Sequence, residues 1–222
     1  MMTAATIPVP GGRGGEEYET HVTVRCEGDE VARLQRWAET AGLKLTRIVL
    51  ARGRMISQPM LTLRAEGGLA AQHAAAEVLM ARLRVAGFEP VRVKIETTPW
   101  SPQAPQDDAS VRGQAPDRYF EHHVKLLLDA GFDRQALTAV AVAHGAHLSW
   151  NARRIRLEGR QERFVTQRCH GVGARTAGRH LELLLTDLRS SGWEIPAVER
   201  EFVLYDNAPD VDAGWIEKGD ER

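Results

Sequence analysis

The apolar positions of this chain change period in a regular succession. His21 to Cys26 alternates polar and apolar, the spacing of a strand with one covered face. Asp29 stands where an N-cap belongs, ahead of a helix from Glu30 to Thr40 that Gly42 ends. Leu43–Leu50 and Met60–Ala65 read as further strands. A longer helix follows from Leu69 to Ala86, with Leu69, Ala76, Leu79, Leu83 and Ala86 on one stripe and Gly87 as its stop. Val91–Glu96 alternates strictly, with Val91, Val93 and Ile95 on one side and Arg92, Lys94 and Glu96 on the other.

The same succession then recurs. Strands are expected near Phe120–Leu128, His147–Arg153, Arg163–Cys169 and Ala197–Tyr205, and helices near Asp133–His144 and Ala174–Ser190. Glu19-Thr20-His21-Val22-Thr23-Val24 answers to Glu121-His122-His123-Val124-Lys125-Leu126, and Ala86-Gly87-Phe88-Glu89 to Ser191-Gly192-Trp193-Glu194. The order βαββαβ, taken twice, is an internal duplication of the ferredoxin-like unit. The expected fold is therefore α+β: two tandem ferredoxin-like lobes, each an antiparallel sheet with both helices on one face and the other face open, forming a bilobed protein.

Composition marks the boundaries. Residues 1–16, small, polar and rich in Gly and Pro, read as a disordered arm, and 99–117, with its repeated Pro, Gln and Asp, as a linker. That leaves lobes at 17–98 and 118–206 and a tail at 207–222, in which Trp215 and Ile216 are expected to anchor; Trp100 is out of character for a free linker and is expected to dock. A formal net charge of -1 argues against a strongly basic nucleic-acid binder. No secretory h-region and no membrane-length apolar run are present. Cys26 and Cys169 form no CxxC pair, so neither a zinc knuckle nor a disulfide framework is indicated, and a cytoplasmic setting is expected.

Alternation also selects the side chains on the open faces. In the first lobe these are Glu19, His21 and Thr23, Thr62 and Arg64, Lys94, and Lys44 with Thr46; in the second, Glu121, His123 and Lys125, Thr166 and Arg168, and His147 with Ser149. Two facing sheets with these residues suit an anionic substrate. Arg64 and Arg168 can fork onto a phosphate, Thr23, Thr62 and Thr166 can donate to its remaining oxygens, and Lys94 and Lys125 add charge. His21 and His123 can then serve as base and acid on opposite sides of the phosphorus. In the last strand, Val198, Phe202 and Leu204 read as core, which leaves the facing of Glu199, Arg200 and Glu201 open.

His21-Val22-Thr23-Val24 has the form His-x-Thr-x, with His123-Val124-Lys125-Leu126 as its counterpart. One such motif per lobe resembles the two-histidine (2H) phosphoesterase superfamily, which includes the 2′,3′-cyclic phosphodiesterases once called 2′-5′ RNA ligases. The resemblance implies a phosphoesterase acting on a nucleotide or RNA-terminal phosphate in a cleft between lobes, without metal or other cofactor. It assigns catalysis to His21 and His123 and phosphate binding to Thr23 and Lys125. Lys125 departs from the expected Thr or Ser.

Three other readings compete. A metal enzyme with a histidine on the first strand and a glutamate on the last strand of each module would use His21, Glu96, His123 and either Glu199 or Glu201, although such modules read βαβββ. A noncatalytic ligand- or RNA-binding protein would stack bases on Phe164, Phe120 or Tyr119. In the plainest reading the two faces pack together, with Glu19, Glu121, Arg64 and Arg168 neutralising one another. Gly171-Val172-Gly173 can present amides to an anion at a helix start, and Arg153, Arg154, Arg156 and Arg160 form a basic hairpin around Gly159.

Overall fold

A computed structural model describes residues 17–152 and 160–215. The first half runs β1 (Tyr18–Arg25), α1 (Glu30–Thr40), β2 (Lys44–Leu50), β3 (Ser57–Leu63), α2 (Leu69–Val85) and β4 (Glu89–Thr97). The second runs β5 (Tyr119–Leu128), α3 (Arg134–Ala143), β6 (Ala146–Asn151), β7 (Gln161–His170), α4 (Ala174–Ser190) and β8 (Glu194–Asp206). Short 3-10 turns lie at Asp108–Val111 and Pro209–Asp212.

The expectation of two open sheets in a bilobed protein is overturned. All eight strands form one closed antiparallel barrel in the order β1-β3-β2-β6-β7-β5-β8-β4. The order within each half is β4-β1-β3-β2 or its equivalent, but the halves share their edges. β2 pairs with β6 through Ile48↔Asn151, Val49↔Trp150 and Leu50↔Ser149. β4 pairs with β8 from Lys94↔Asp206 to Thr97↔Phe202. The physical reason is edge satisfaction: an open four-stranded sheet leaves two rows of unpaired N–H and C=O groups, and joining edge to edge removes all four rows.

Closure turns the polar face of each sheet toward a lumen and leaves the apolar face for the helices. Val22, Val24, Leu61, Val93 and Ile95 pack under Leu34 and Ala38 of α1 and Ala76, Leu79 and Leu83 of α2. Val124, Leu126, Leu148 and Val165 pack under Leu137 and Ala141 of α3 and Leu181, Leu184 and Leu188 of α4. Each fully buried large side chain contributes about 1.5–3 kcal/mol, so much of the hydrophobic stabilisation sits outside the barrel, and the lumen combines polar groups with Ile48, Leu50, Met60, Phe164 and Trp215.

Helix ends follow local chemistry. Gly87 and Gly192, at equivalent positions, take positive φ of 74° and 81°, and the next amides return to Leu83 O at 2.9 Å and Leu188 O at 3.3 Å. Asp133 caps α3 by accepting from Ala136 N at 2.9 Å; Asp29 holds the corresponding place on α1 but makes no side-chain cap.

The segment between the halves is a strap docked on the barrel, with Ser101 and Ala104 buried, whereas Trp100 is 68% exposed and does not dock. The strap also answers the anion-binding reading of Gly171-Val172-Gly173. Gly173 N donates to Asp108 Oδ1 at 2.8 Å and Thr176 Oγ1 to Asp108 Oδ2 at 2.9 Å, so a carboxylate of the chain itself sits at the start of α4. The 1–16 arm, Arg153, Arg154, Arg156, Gly159 and Ile216 lie outside the described residues. No helix among the described residues is long and apolar enough to cross a membrane.

Candidate active site in the barrel lumen

The lumen holds a cavity of about 420 Å³, the size range of a small-molecule site. His21, Thr23, Thr62, Lys94, His123, Lys125, Thr166 and Arg168 all line it. Arg64 does not belong to this set. It follows the last residue of β3, is largely exposed at the rim, and is engaged by Glu19.

Register explains the convergence. His21 lies opposite Thr62 and Lys94 on the two strands flanking β1, and His123 lies opposite Thr166 and Glu199 on those flanking β5. The result is the same relay built twice. His21 Nδ1 meets Thr62 Oγ1 at 3.2 Å and its Nε2 meets Glu96 Oε2 at 3.0 Å. His123 Nδ1 meets Thr166 Oγ1 at 3.0 Å and its Nε2 meets Glu201 Oε2 at 3.3 Å. Lys94 joins the halves, with its Nζ 2.5 Å from both Glu96 Oε1 and Glu121 Oε2.

Charge sets the protonation of the relays. Burial works against a charged His123, but the carboxylates of Glu201 and Glu121 outweigh it and raise the imidazole to about 9. Its side chain keeps 23% of its surface, open to the cavity. Burial would raise Glu96, yet Lys94 and His21 hold it down at about 2. Glu121 is likewise held well below the carboxylate range, because Arg168, Lys94 and His123 overcome its burial. Glu201 is raised, by burial and then by the charge of Glu96.

Beyond the relays lies a buried ionic floor. Arg92 donates to Asp206 through Nε at 2.9 Å and Nη2 at 2.5 Å, and to Asp212 through Nη1 at 2.8 Å. Arg168 donates to Glu121 at 2.6 Å and to Asp212 at 2.8 Å. Tyr119 Oη donates to Asp206 at 3.0 Å and Gln58 Nε2 to Asp212 at 2.7 Å. Arg168 is thus paired with Arg92 across the lumen and not with Arg64.

Sequence reading passed over Arg92, Gln58, Asp206 and Asp212. Arg92 carried a signal, since it shares the alternation phase of Lys94. Asp206 did not: a register shift between β4 and β8 near Glu96 turns it inward. Glu199 and Glu201 border the cavity, whereas Arg200 lies on the outer face beside Gly178 of α4. His122 faces outward and is buried, with Nδ1 3.1 Å from Gln167 Oε1; burial lowers it to about 4. Of the aromatics considered for base stacking, Phe164 lines the lumen, Phe120 is in the outer core and Tyr119 is in the ionic floor, so no open platform forms.

Glu121, His123 and Glu201 present ligand atoms all within 4.8 Å of one another, a nitrogen and oxygen set able to hold a divalent metal. The Lys94 ammonium lies against both halves, 2.5 Å from Glu121 of this set and 2.5 Å from Glu96 beside His21.

No protein-family model matches the chain, and no curated protein matches it. Among solved structures it is similar to the acetolactate synthase small subunit of Thermotoga maritima, at 10% identity over 86% of this chain and 95% of that one, with a TM-score of 0.28. It is also similar to variants of chlorite dismutase from Candidatus Nitrospira defluvii. Two of these stand at 13% and 12% identity, over 86% of this chain and 92% of those, with TM-scores of 0.29 and 0.30. Neither protein is a two-histidine phosphoesterase, and likeness at this level assigns no activity.

Proposed function

We propose that the lumen is an acid–base site that hydrolyses a phosphoester of nucleotide size. One observation carries the reading: two equivalent Thr–His–Glu relays open onto a single cavity edged by Lys44, Lys125, Arg92 and Arg168. Six carboxylates line the same cavity, so an anionic group is favoured locally, beside Lys44 and Lys125, and the cavity volume favours a mononucleotide over a nucleic-acid strand. Each imidazole spends Nε2 on a carboxylate, which leaves the threonine hydroxyl as its outlet to the substrate, the logic of a hydroxyl–histidine–acid triad.

His123, an imidazolium at neutral pH, is the acid. Its Nδ1 proton passes to Thr166 Oγ1 while the hydroxyl proton of Thr166 goes to the leaving oxygen. His21 takes the base role. Water attacks phosphorus and gives a proton to Thr62 Oγ1, whose own proton moves to His21 Nδ1, while Glu96 stabilises the imidazolium so formed. The phosphorus–oxygen bond to water forms as that to the leaving group breaks, and the protons balance.

Turnover of 2′,3′-cyclic nucleotides by wild type, His21→Gln, His123→Gln, Thr62→Val and Thr166→Val tests the mechanism. Each substitution is expected to lower kcat by about 10²–10⁴-fold, the usual weight of a positioned acid or base. Wild-type turnover that persists in both histidine variants sinks it, and so does a wild type inactive on every phosphoester tried. A second reading rests on Glu121, His123 and Glu201 as a metal site. It predicts one equivalent of bound zinc or manganese after dialysis against that metal, lost in Glu121→Gln.

A further inference from the structure

The chain leaves β8 and re-enters the lumen with one side chain. Asp212 ends the turn Pro209–Asp212 and is 2% exposed, while Pro209, Asp210, Ala213 and Gly214 around it are exposed. Trp215 is the other buried peg of this segment, with Nε1 donating to Leu148 O at 2.9 Å. Between the two pegs the backbone is tied by Arg54 N donating to Ala213 O at 2.7 Å. Asp212 and Trp215 both border the cavity, so the tail forms part of its wall.

The cradle that receives Asp212 is built independently of it. Arg92 from β4 and Arg168 from β7 converge on one oxygen, Oδ2, each at 2.8 Å, and Gln58 from β3 donates to Oδ1 at 2.7 Å. Each guanidinium is also held from behind by a second carboxylate, Asp206 for Arg92 and Glu121 for Arg168. Both arginines therefore keep their aim when Asp212 leaves. Two forked cations from opposite halves, meeting at one oxygen together with an amide donor, are the geometry of an oxyanion receptor. The carboxylate in it belongs to a short segment outside the strands, which Trp215 on Leu148 and the Arg54–Ala213 hydrogen bond also hold.

We propose that Arg92, Arg168 and Gln58 form the phosphate-binding site of the lumen, and that Asp212 is its intramolecular occupant, which an incoming phosphate displaces as the tail swings outward. The identity of the natural ligand rests on the phosphoester reading above, whereas the site itself is defined by oxyanion binding alone. A tethered competitor lowers apparent affinity by the fraction of time the cradle is open. Ligand capture and opening of the tail are then one event.

Inorganic phosphate is the probe, titrated calorimetrically into the full chain in chloride buffer. Asp212→Asn is expected to bind it at least tenfold more tightly than wild type, and Arg168→Gln in that background is expected to abolish the gain. In the wild type, hydrogen exchange of the 210–215 amides is expected to quicken as phosphate is raised to tens of millimolar, while amides of β1 and β5 do not change. Equal phosphate affinity in wild type and Asp212→Asn overturns the proposal. Should that variant fail to fold, unaltered exchange of 210–215 in the wild type across the same titration overturns it equally. Phosphate binding with no turnover of any phosphoester leaves the receptor standing and removes only the hydrolytic reading.

Discussion

The protonated state of His123 is open to a quantitative test. The imidazole rises from its ordinary 6.5 to about 9 because Glu201 and Glu121 overcome the cost of burial. A group whose folded value is raised stabilises the fold fully below its unfolded value and loses that contribution as pH climbs through the folded one. At about 1.4 kcal/mol per pH unit the gap amounts to about 3 kcal/mol below about pH 6. It falls to about 2 kcal/mol near pH 7.5 and to less than about 0.5 kcal/mol at pH 9. Urea unfolding of wild type and His123→Gln across this range reads the contribution of His123 together with its coupled partners Glu121 and Glu201, because titrating groups remote from it affect both proteins alike. The stability difference between them is expected to shrink by about 3 kcal/mol from pH 6 to pH 9. A difference that stays flat refutes the reasoning. So does a His123 imidazole resonance that titrates at or below its ordinary value, since the carboxylates would then not govern it.

Two further substitutions probe the frame of the site. Gly173→Ala places a Cβ 2.3 Å from the carbonyl carbon of Asp107, at an ordinary φ of -84°, so strap and helix must separate; a loss of about 2 kcal/mol in urea unfolding is expected, with faster proteolysis within 99–117. Lys94→Met keeps the aliphatic stem but removes the ammonium between Glu96 and Glu121. It is expected to cost about 3 kcal/mol or more at neutral pH, and the loss should shrink as pH falls toward Glu96's folded value of about 2. A loss independent of pH would show that packing, not charge, was removed.

Strand alternation was enough to place both histidines and their threonines on one kind of face, because the pleat sends every second side chain the same way. It failed where regular pairing stops. Arg64 has the parity of Thr62, but β3 ends at Leu63 and the parity no longer binds it. Asp206 escapes because the strand slips near its end. The larger miss, two sheets in place of one barrel, has a different origin. The closing contacts are backbone hydrogen bonds between β2 and β6 and between β4 and β8, and backbone groups leave no side-chain pattern to read. Asp212 lies beyond the last strand, where periodicity carries no information at all.

The duplication matters most where its copies disagree. His21 and His123, Thr62 and Thr166, and Glu96 and Glu201 are equivalent in place and in contacts. The position opposite each histidine on the fourth strand of its half is not: it is Lys94 beside His21 and Glu199 beside His123. Lys94 spends its charge on Glu96 and Glu121, one carboxylate beside each histidine, so the exchange leaves Glu199 as an added acid on the His123 side. On the proposed reading this one exchange of charge separates base from acid. Two identical relays facing one phosphorus would compete for the same proton, whereas relays in unlike surroundings can divide the roles of acid and base. Lys125, which stands where the first half has Thr23, extends the same asymmetry by bringing a cation to the acid side of the cavity, where negative charge gathers on a departing oxygen.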